Sequence, residues 1–213
     1  MFVRDCMTTD PISVHPESDP LAALGLCRSA RIRRLPVVNA DSQVVGIVTR
    51  NMLELFLSKA PSPGIMKRQH SVAQVMAGPV ITVSPEYPLE EAARLMVVHK
   101  IGSLPVVENG RLVGIITETD IFRQFVEILG GQAEAIRLTV VVLDMPGLLA
   151  KVVNAVAALH GNIRSAIISS TADPTRRSVT LWVEDVNQDV LAAAIQNLSD
   201  VQLIRMWSKP DNE

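Results

Sequence analysis

The 213-residue chain has few aromatic residues, few cysteines and no excess of positive charge. Aromatic residues make up 3% of the chain and the net charge is −2, so neither the stacking surfaces nor the basic patch of a nucleic-acid-binding protein is expected. Cys6 and Cys27 lie outside a CxxC spacing, which favours buried reduced thiols over a disulfide. No apolar run approaches the roughly 18 residues of a membrane span, and charge interrupts the N-terminus too early for a secretory leader. We therefore expect a cytoplasmic protein.

The sequence also lacks the residue patterns that catalysis or metal binding would need. Its four histidines show no metal-ligand spacing, and no cysteine joins them. Neither a Ser/His/Asp set around a nucleophile elbow nor a phosphate loop of the GxxxxGK type occurs. We predict a protein that is not an enzyme, contains no metal and requires no cofactor.

An internal repeat is present instead. Leu-Pro-Val-Val begins at Leu35 and again at Leu104, 69 positions later, and the Gly-Ile-Val-Thr that starts at Gly46 returns as Gly-Ile-Ile-Thr from Gly114. A copy of about 60 residues has a marginal core by itself, so the two copies should pack together as a pseudo-symmetric pair. We expect unit 1 at 1–57, a linker at 58–71 and unit 2 at 72–129.

Each copy is predicted to run strand, helix, strand, strand, helix. The first strands are the apolar segments 12–14 and 80–83, and the first helices have Pro20 or Pro88 at the first helical position. Two apolar strands around a polar turn follow, with Asn-Gly as the hairpin signal in the second copy. The last helix of the second copy should begin at Thr117.

The remainder of the chain, 135–208, has a different order of elements. Gly130-Gly131 would end the preceding helix and act as a hinge. Beyond it, the apolar patterns predict a βαββαβ order, the ferredoxin-like arrangement of a four-stranded antiparallel sheet with two helices on one face. The chain is therefore expected to be an α/β protein of the α+β type, with βαββα units followed by this βαββαβ domain.

These motifs resemble two known families. The repeat resembles CBS domains, whose pattern joins a leading Met, a Leu-Pro-Val-Val strand and the motif G-h-h-T-x-x-D; residues 3 to about 128 would form a CBS pair, or Bateman module. The C-terminal part resembles an ACT domain, through the loop that starts at Asp144 and the later Gly-Asn-Ile at Gly161. This domain order and length resemble the acetoin-utilisation AcuB group.

The CBS resemblance implies adenosine-nucleotide binding in clefts between the two units. The motif aspartate, here Asp120, would accept hydrogen bonds from both ribose hydroxyls, and the helix N-terminus would face ribose and phosphate. Met52 holds the equivalent place in the first copy and cannot accept those bonds, so the second cleft should be degenerate or empty. The alternative is that Asp120 only caps its helix and the arginines are solvated. The expected binding residues are Thr8, Ile32, Arg33, Arg34, Thr117, Thr119 and Asp120.

The ACT resemblance implies an amino acid effector where the first loop of that domain meets a helix. The alternative is that the domain serves assembly alone, because Asp-x-Pro-Gly is a good helix start without any ligand. The expected effector residues are Asp144, Gly147, Leu148, Asn162 and Ile163.

Taken together, the resemblances imply a regulatory sensor. It would bind AMP, ATP or another adenosyl compound, couple that binding to the ACT domain, form a homodimer and act on a partner enzyme, in acetoin or related carbon metabolism. The alternative is a scaffolding protein whose modules assemble with a partner enzyme and bind no small molecule. Neither nucleic acid nor a membrane is expected as a partner.

Overall fold

The computed structural model describes residues 1–59, 70–129 and 135–208. The chain divides into two compact units, Met1–Gln124 and Phe125–Glu213. Most of the expected linker at 58–71 and the whole of the expected hinge at Gly130-Gly131 lie outside the described residues.

The first unit contains both copies of the repeat. A short 3-10 turn opens each copy, at Val3–Asp5 and at Val72–Gln74. Strand β2 pairs antiparallel with β3, and the other three strands form an antiparallel sheet in the order β1-β5-β4. The elements are β1 (Thr8–Thr9), α1 (Pro20–Ser29), β2 (Arg34–Val38), β3 (Val44–Thr49), α2 (Arg50–Ser58), α3 (Leu89–His99), β4 (Ser103–Glu108), β5 (Arg111–Thr117) and α4 (Glu118–Ile128), which begins in this unit.

Each copy inserts its opening residues into the core of the other copy. Val3 is buried in the hydrophobic cluster of the second copy, and Val72 is buried in the cluster of the first. Backbone hydrogen bonds fix both insertions, from Val3 N to Tyr87 O at 2.9 Å and from Val72 N to Ser18 O at 2.9 Å. The exchange continues in β1, which pairs with β5 of the second copy. Because of this exchange, the two copies form one pseudo-symmetric body.

Local sequence sets where the elements begin and turn. The carboxylate of Asp19 accepts hydrogen bonds from the N–H groups of the first turn of α1, and Pro20 supplies the fixed φ of the first helical position. In the hairpin between β4 and β5, Asn109 and Gly110 have φ of 50° and 78°, as the Asn-Gly signal predicts.

The first strand predicted for each copy is reduced to a single bridge. Segment 12–14 contributes one parallel bridge, Val14 to Val37, and segment 80–83 contributes Val83 to Val106. Prolines lie close to both ends of each segment and cannot donate the hydrogen bonds of a longer ladder. Val14 and Val83 are buried, but the prediction of strands at these two segments is wrong.

The second unit has the predicted ferredoxin-like order. The elements are β6 (Ile136–Leu143), α5 (Leu148–Ala158), β7 (Asn162–Ser170), β8 (Arg176–Glu184), α6 (Gln188–Gln196) and β9 (Val201–Trp207). The antiparallel sheet is ordered β7-β8-β6-β9, and one continuous hydrophobic cluster joins this sheet to its two helices. Strands β7 and β9 coincide with segments 162–170 and 201–207, whose apolar patterns predict strands.

Three sequence features can be compared with the described residues. None of the described helices combines the length and apolar character that a membrane span requires. In the same residues, no group of three or more His, Cys, Asp or Glu side chains is placed to hold a metal ion. Cys6 and Cys27 are free thiols, and burial raises the pKa of both.

Candidate functional site

Two cavities of the first unit lie between the copies of the repeat. We call one the Asp120 cleft; it has a volume of about 400 Å³ and combines residues 8–36 of the first copy with residues 115–120 of the second. All the residues predicted for nucleotide binding line this cleft: Thr8, Ile32, Arg33, Arg34, Thr117, Thr119 and Asp120. The structure therefore brings together two groups of residues that lie more than 80 positions apart in the chain.

Asp120 lies in the first turn of α4 and takes part in its cap. Its Oδ2 accepts hydrogen bonds from the backbone N of Thr117 at 2.9 Å and from Thr117 Oγ1 at 2.7 Å. In return, Thr117 Oγ1 accepts a bond from Asp120 N at 3.4 Å. This reciprocal pairing is a capping box, so the acid has a structural role at the start of the helix.

The second carboxylate oxygen of Asp120 is less firmly held. Oδ1 accepts a hydrogen bond from Arg123 Nη1 at 3.2 Å, but the Arg123 side chain is 74% exposed. An ion pair with so exposed a partner contributes about 1 kcal/mol or less. A carboxylate has about four acceptor positions. Asp120 can therefore keep its capping bonds through Oδ2 and accept further hydrogen bonds from a ligand.

Arginines give the Asp120 cleft a positive charge. Arg31, Arg33 and Arg34 line it against two carboxylates, those of Asp10 and Asp120. Arg33 Nη2 reaches across to the second copy and donates a hydrogen bond to Thr119 Oγ1 at 3.4 Å. The side chain of Arg34 is 21% exposed, and its burial, followed by the charge of Arg33, lowers its pKa. The cleft thus offers one carboxylate for hydroxyl groups and several guanidinium groups for an anion.

The second cavity, which we call the Met52 cleft, is related to the first by the repeat. It has a volume of about 460 Å³ and is lined by residues 77–103 of the second copy and 34–52 of the first. Met52 takes the place of Asp120, and Lys100 takes the place of Arg31. The cleft is as large as its counterpart, so it differs from the Asp120 cleft in chemistry and not in size.

Helix α2 begins without the acid. Thr49 Oγ1 accepts a hydrogen bond from Met52 N at 3.2 Å, the same bond that Thr117 accepts from Asp120. The threonine alone is therefore sufficient to cap the helix in the first copy. Because α2 forms without a carboxylate, the fold does not require an acid at the position of Asp120.

Within one chain, the residues predicted to bind an effector in the ACT domain do not lie close together. Asp144 follows Leu143 at the end of β6, whereas Asn162 starts β7 and pairs with Glu184 at the opposite end of the sheet. Of the remaining three, Gly147 has φ of 88° and precedes α5, Leu148 is buried in the core, and Ile163 packs against that core. Within one chain, these residues do not form a single site.

Arg177 was not predicted and contacts Asp144 directly. Its Nε and Nη2 lie 2.8 and 2.7 Å from Asp144 Oδ2, and its Nη1 donates to Ser170 Oγ at 2.9 Å. The hydrogen bond to Asp144 raises the pKa of Arg177. The two residues are 33 positions apart and share no motif, so only the pairing of β6 with β8 reveals the contact.

Comparison with protein families identifies both parts of the chain. The CBS domain model matches residues 3–57 and 72–127, more than half of the chain, and the ACT domain model matches residues 136–202. The chain therefore belongs to the CBS domain family, and an ACT domain follows its CBS pair.

Several solved structures are similar to this chain. A Vibrio cholerae protein assigned to acetoin utilisation (AcuB) is 32% identical, with a TM-score of 0.55 over 62% of this chain and 95% of that one. A CBS domain pair in complex with 5′-methylthioadenosine and S-adenosyl-L-methionine is 28% identical, with a TM-score of 0.53 over 62% of this chain and 98% of that one. CBSX2 in complex with AMP is 28% identical, with a TM-score of 0.52 over 60% of this chain and 98% of that one.

Proposed function

We propose that the protein is a non-catalytic regulatory sensor that binds an adenosine nucleotide in the Asp120 cleft. One observation carries the proposal: a carboxylate with acceptor positions to spare lines the same cavity as three arginines from the other copy of the repeat. The solved CBS pairs with AMP and with S-adenosyl-L-methionine support an adenosyl ligand.

The proposed binding mode follows from the groups that line the cleft. Asp120 accepts hydrogen bonds from the two ribose hydroxyls, because a carboxylate can accept two bonds from a vicinal diol. Arg33 and Arg34 bind the phosphates through their guanidinium groups. Ile12 and Ile115 offer apolar surface to the base. AMP, ATP and other adenosyl compounds share these features.

The sensing step follows from the composite nature of the cleft. A ligand held by Asp120 of the second copy and by arginines of the first binds one arrangement of the two copies better than another, and this difference in affinity shifts the equilibrium between arrangements. We propose that the shift is passed to the ACT domain in a homodimer and regulates a partner enzyme. The AcuB similarity favours acetoin or related carbon metabolism as the process. We propose the cytoplasm as its place.

Calorimetric titration of the full chain with AMP, ATP and S-adenosyl-L-methionine tests the site. A hydrogen bond to a charged group contributes about 1.5–3 kcal/mol, so Asp120→Ala should weaken binding at least about tenfold. Asp41→Ala removes an exposed acid outside the cleft and should leave the affinity unchanged. Equal binding by the wild type and Asp120→Ala, or no binding by the wild type, would contradict the proposal.

A scaffolding function without a small molecule is the second candidate. The capping box favours it, because the cap alone accounts for the acid at position 120. A ligand at 100 times its dissociation constant stabilises a protein by about 2.7 kcal/mol, which raises its unfolding temperature. A thermal-shift screen over nucleotides and amino acids that gives no increase would support scaffolding over sensing.

A further inference from the structure

The Met52 cleft has cationic and apolar groups but lacks the acid of its counterpart. Lys100 and Arg34 line it, and no carboxylate does so among the described residues. Ser103 also lines it and is 4% exposed. A hydroxyl group and two cations, with no carboxylate beside them, leave this cavity suited to an anion.

Arg34 is the residue that breaks the symmetry of the two clefts. It is the one described side chain that lines both cavities. Its guanidinium passes over Gly102, where a Cβ atom would collide with Nη2, and the equivalent of Gly102 in the first copy is Arg33. Because Gly102 leaves space, Arg34 extends from the Asp120 cleft into the Met52 cleft.

The position of Arg34 is weakly fixed. Its Nη2 lies 3.9 Å from Glu118 Oε2, and the Glu118 side chain is 52% exposed. At this distance and exposure the ion pair contributes little. The guanidinium can therefore move toward an anion in either cleft.

We propose that the Met52 cleft binds an anionic ligand that lacks a vicinal diol, and that the two clefts compete for Arg34. Met52 offers no acceptor for ribose hydroxyls, so a diol gains nothing there. Lys100, Arg34 and the Ser103 hydroxyl bind the anionic group, and Ile47, Val80 and Ile81 cover an apolar body. The competition rests on the proposed nucleotide site, whereas the anion site does not.

Binding in the two clefts should be coupled negatively, because both ligands would use the same guanidinium group, that of Arg34. An anion in the Met52 cleft holds Arg34 there and removes a phosphate partner from the Asp120 cleft. By thermodynamic linkage, a nucleotide in the Asp120 cleft weakens the second site by the same factor. The two ligands should therefore oppose each other, and the coupling should depend on position 34.

Titration with 2′,3′-dideoxyadenosine 5′-monophosphate tests the anion site, because this probe has a phosphate and an apolar ring but no diol. The full-length wild type should bind it, and Lys100→Gln should weaken binding about tenfold. Arg111→Gln removes an exposed cation outside both clefts and should not change the affinity, and Asp120→Ala, which alters the other cleft, should weaken binding less than Lys100→Gln does. No binding by the wild type, or loss in Asp120→Ala with retention in Lys100→Gln, would overturn the anion site.

Titration with AMP in the presence of saturating probe tests the competition. The wild-type dissociation constant for AMP should rise about fivefold or more, the lower range of measured couplings. In Arg34→Gln this rise should disappear. Gly102→Ala gives a second test should Arg34→Gln fail to fold, since the added methyl displaces the ends of the Arg34 and Glu118 side chains and should also reduce the coupling.

The outcomes separate this inference from the proposed function. Binding of AMP without binding of the probe rejects the anion site and leaves the nucleotide site in place. Binding of the probe without AMP rejects the nucleotide site and the competition, and leaves the anion site in place. An unchanged AMP affinity in saturating probe, or a coupling that persists in both variants, rejects Arg34 as the shared group.

Discussion

The two copies of the repeat build the same strand-to-helix turn but present different groups to their clefts. Thr49 and Thr117 each cap a helix through the same side-chain bond, and the two cavities have similar volumes. The acid occurs in the second copy alone, where it joins the cap and lines the cleft. The comparison separates the threonine, which caps the helix in both copies, from the acid, which the proposed nucleotide site requires.

The cores of the two copies provide a baseline for that comparison. Leu35 and Leu104 occupy equivalent positions, and both are fully buried. Replacing either with alanine should lower the free energy of unfolding by about 2–5 kcal/mol, because each change leaves a cavity in a packed core. Urea denaturation measures both values. A loss below about 1 kcal/mol in one variant alone would mean that the two cores are not equivalent.

Introducing an acid into the first copy should remove the difference between the clefts. Met52→Asp places a carboxylate next to Thr49, as in the second copy, and should create a tight AMP site in the Met52 cleft, at least about tenfold tighter than the wild-type cleft. Equilibrium dialysis with AMP measures the stoichiometry.

Asn51→Asp is the matched control for that change, since it adds the same charge one residue away at an exposed position that does not line the cleft. If both variants gain a site, the added charge and not its position is responsible. If neither gains one, the difference between the copies does not depend on the acid.

The capping role of Asp120 should have a smaller, measurable effect. Asp120→Ala removes one half of the capping box while Thr117 Oγ1 remains as an acceptor, so the free energy of unfolding should fall by about 1 kcal/mol. Chemical denaturation without ligand measures this effect separately from binding. Asp120→Asn keeps an acceptor oxygen and should lose less stability than Asp120→Ala; an equal or larger loss would contradict the capping role.

The smallest effect should come from the partner of Arg34. Glu118→Gln removes a half-exposed ion pair and should change the free energy of unfolding by less than about 1 kcal/mol. Because it frees Arg34, it should also increase the affinity for AMP. Arg50→Gln, at the equivalent position in the first copy, should have a similar small effect on stability and none on AMP affinity. An increase in both variants would exclude a specific role for Glu118.

Much of the Asp120 cleft could be predicted because the repeat supplies its own geometry. A repeat whose spacing changes by only one residue, from 69 at Leu35 to 68 at Gly46, implies a pseudo-two-fold relation, and this relation brings Arg33 and Thr8 to the motif that contains Asp120. The reach of Arg34 into the Met52 cleft could not be predicted in this way. It depends on the length of one side chain and the absence of another at Gly102, and neither follows the repeat.

The ACT domain shows the opposite outcome. Its fold followed from apolar patterns, because period-two strands and period-3.6 helices are local signals. Its expected effector residues come from two separate sequence segments, and within one chain Asp144 and Asn162 lie at opposite ends of the sheet. The contact between Arg177 and Asp144 arises from strand pairing, which cannot be predicted from the local sequence pattern.

The exchange of opening residues between the copies has a consequence for synthesis of the chain on the ribosome. The core of the first copy includes Val72, which is translated after the rest of that copy, and the core of the second copy includes Val3 from the opening of the first. Neither copy can therefore complete its core from its own residues alone. The first copy can reach its native packing only after Val72 has been translated, and a truncation that removes the segment containing Val3 should destabilise the more distant copy.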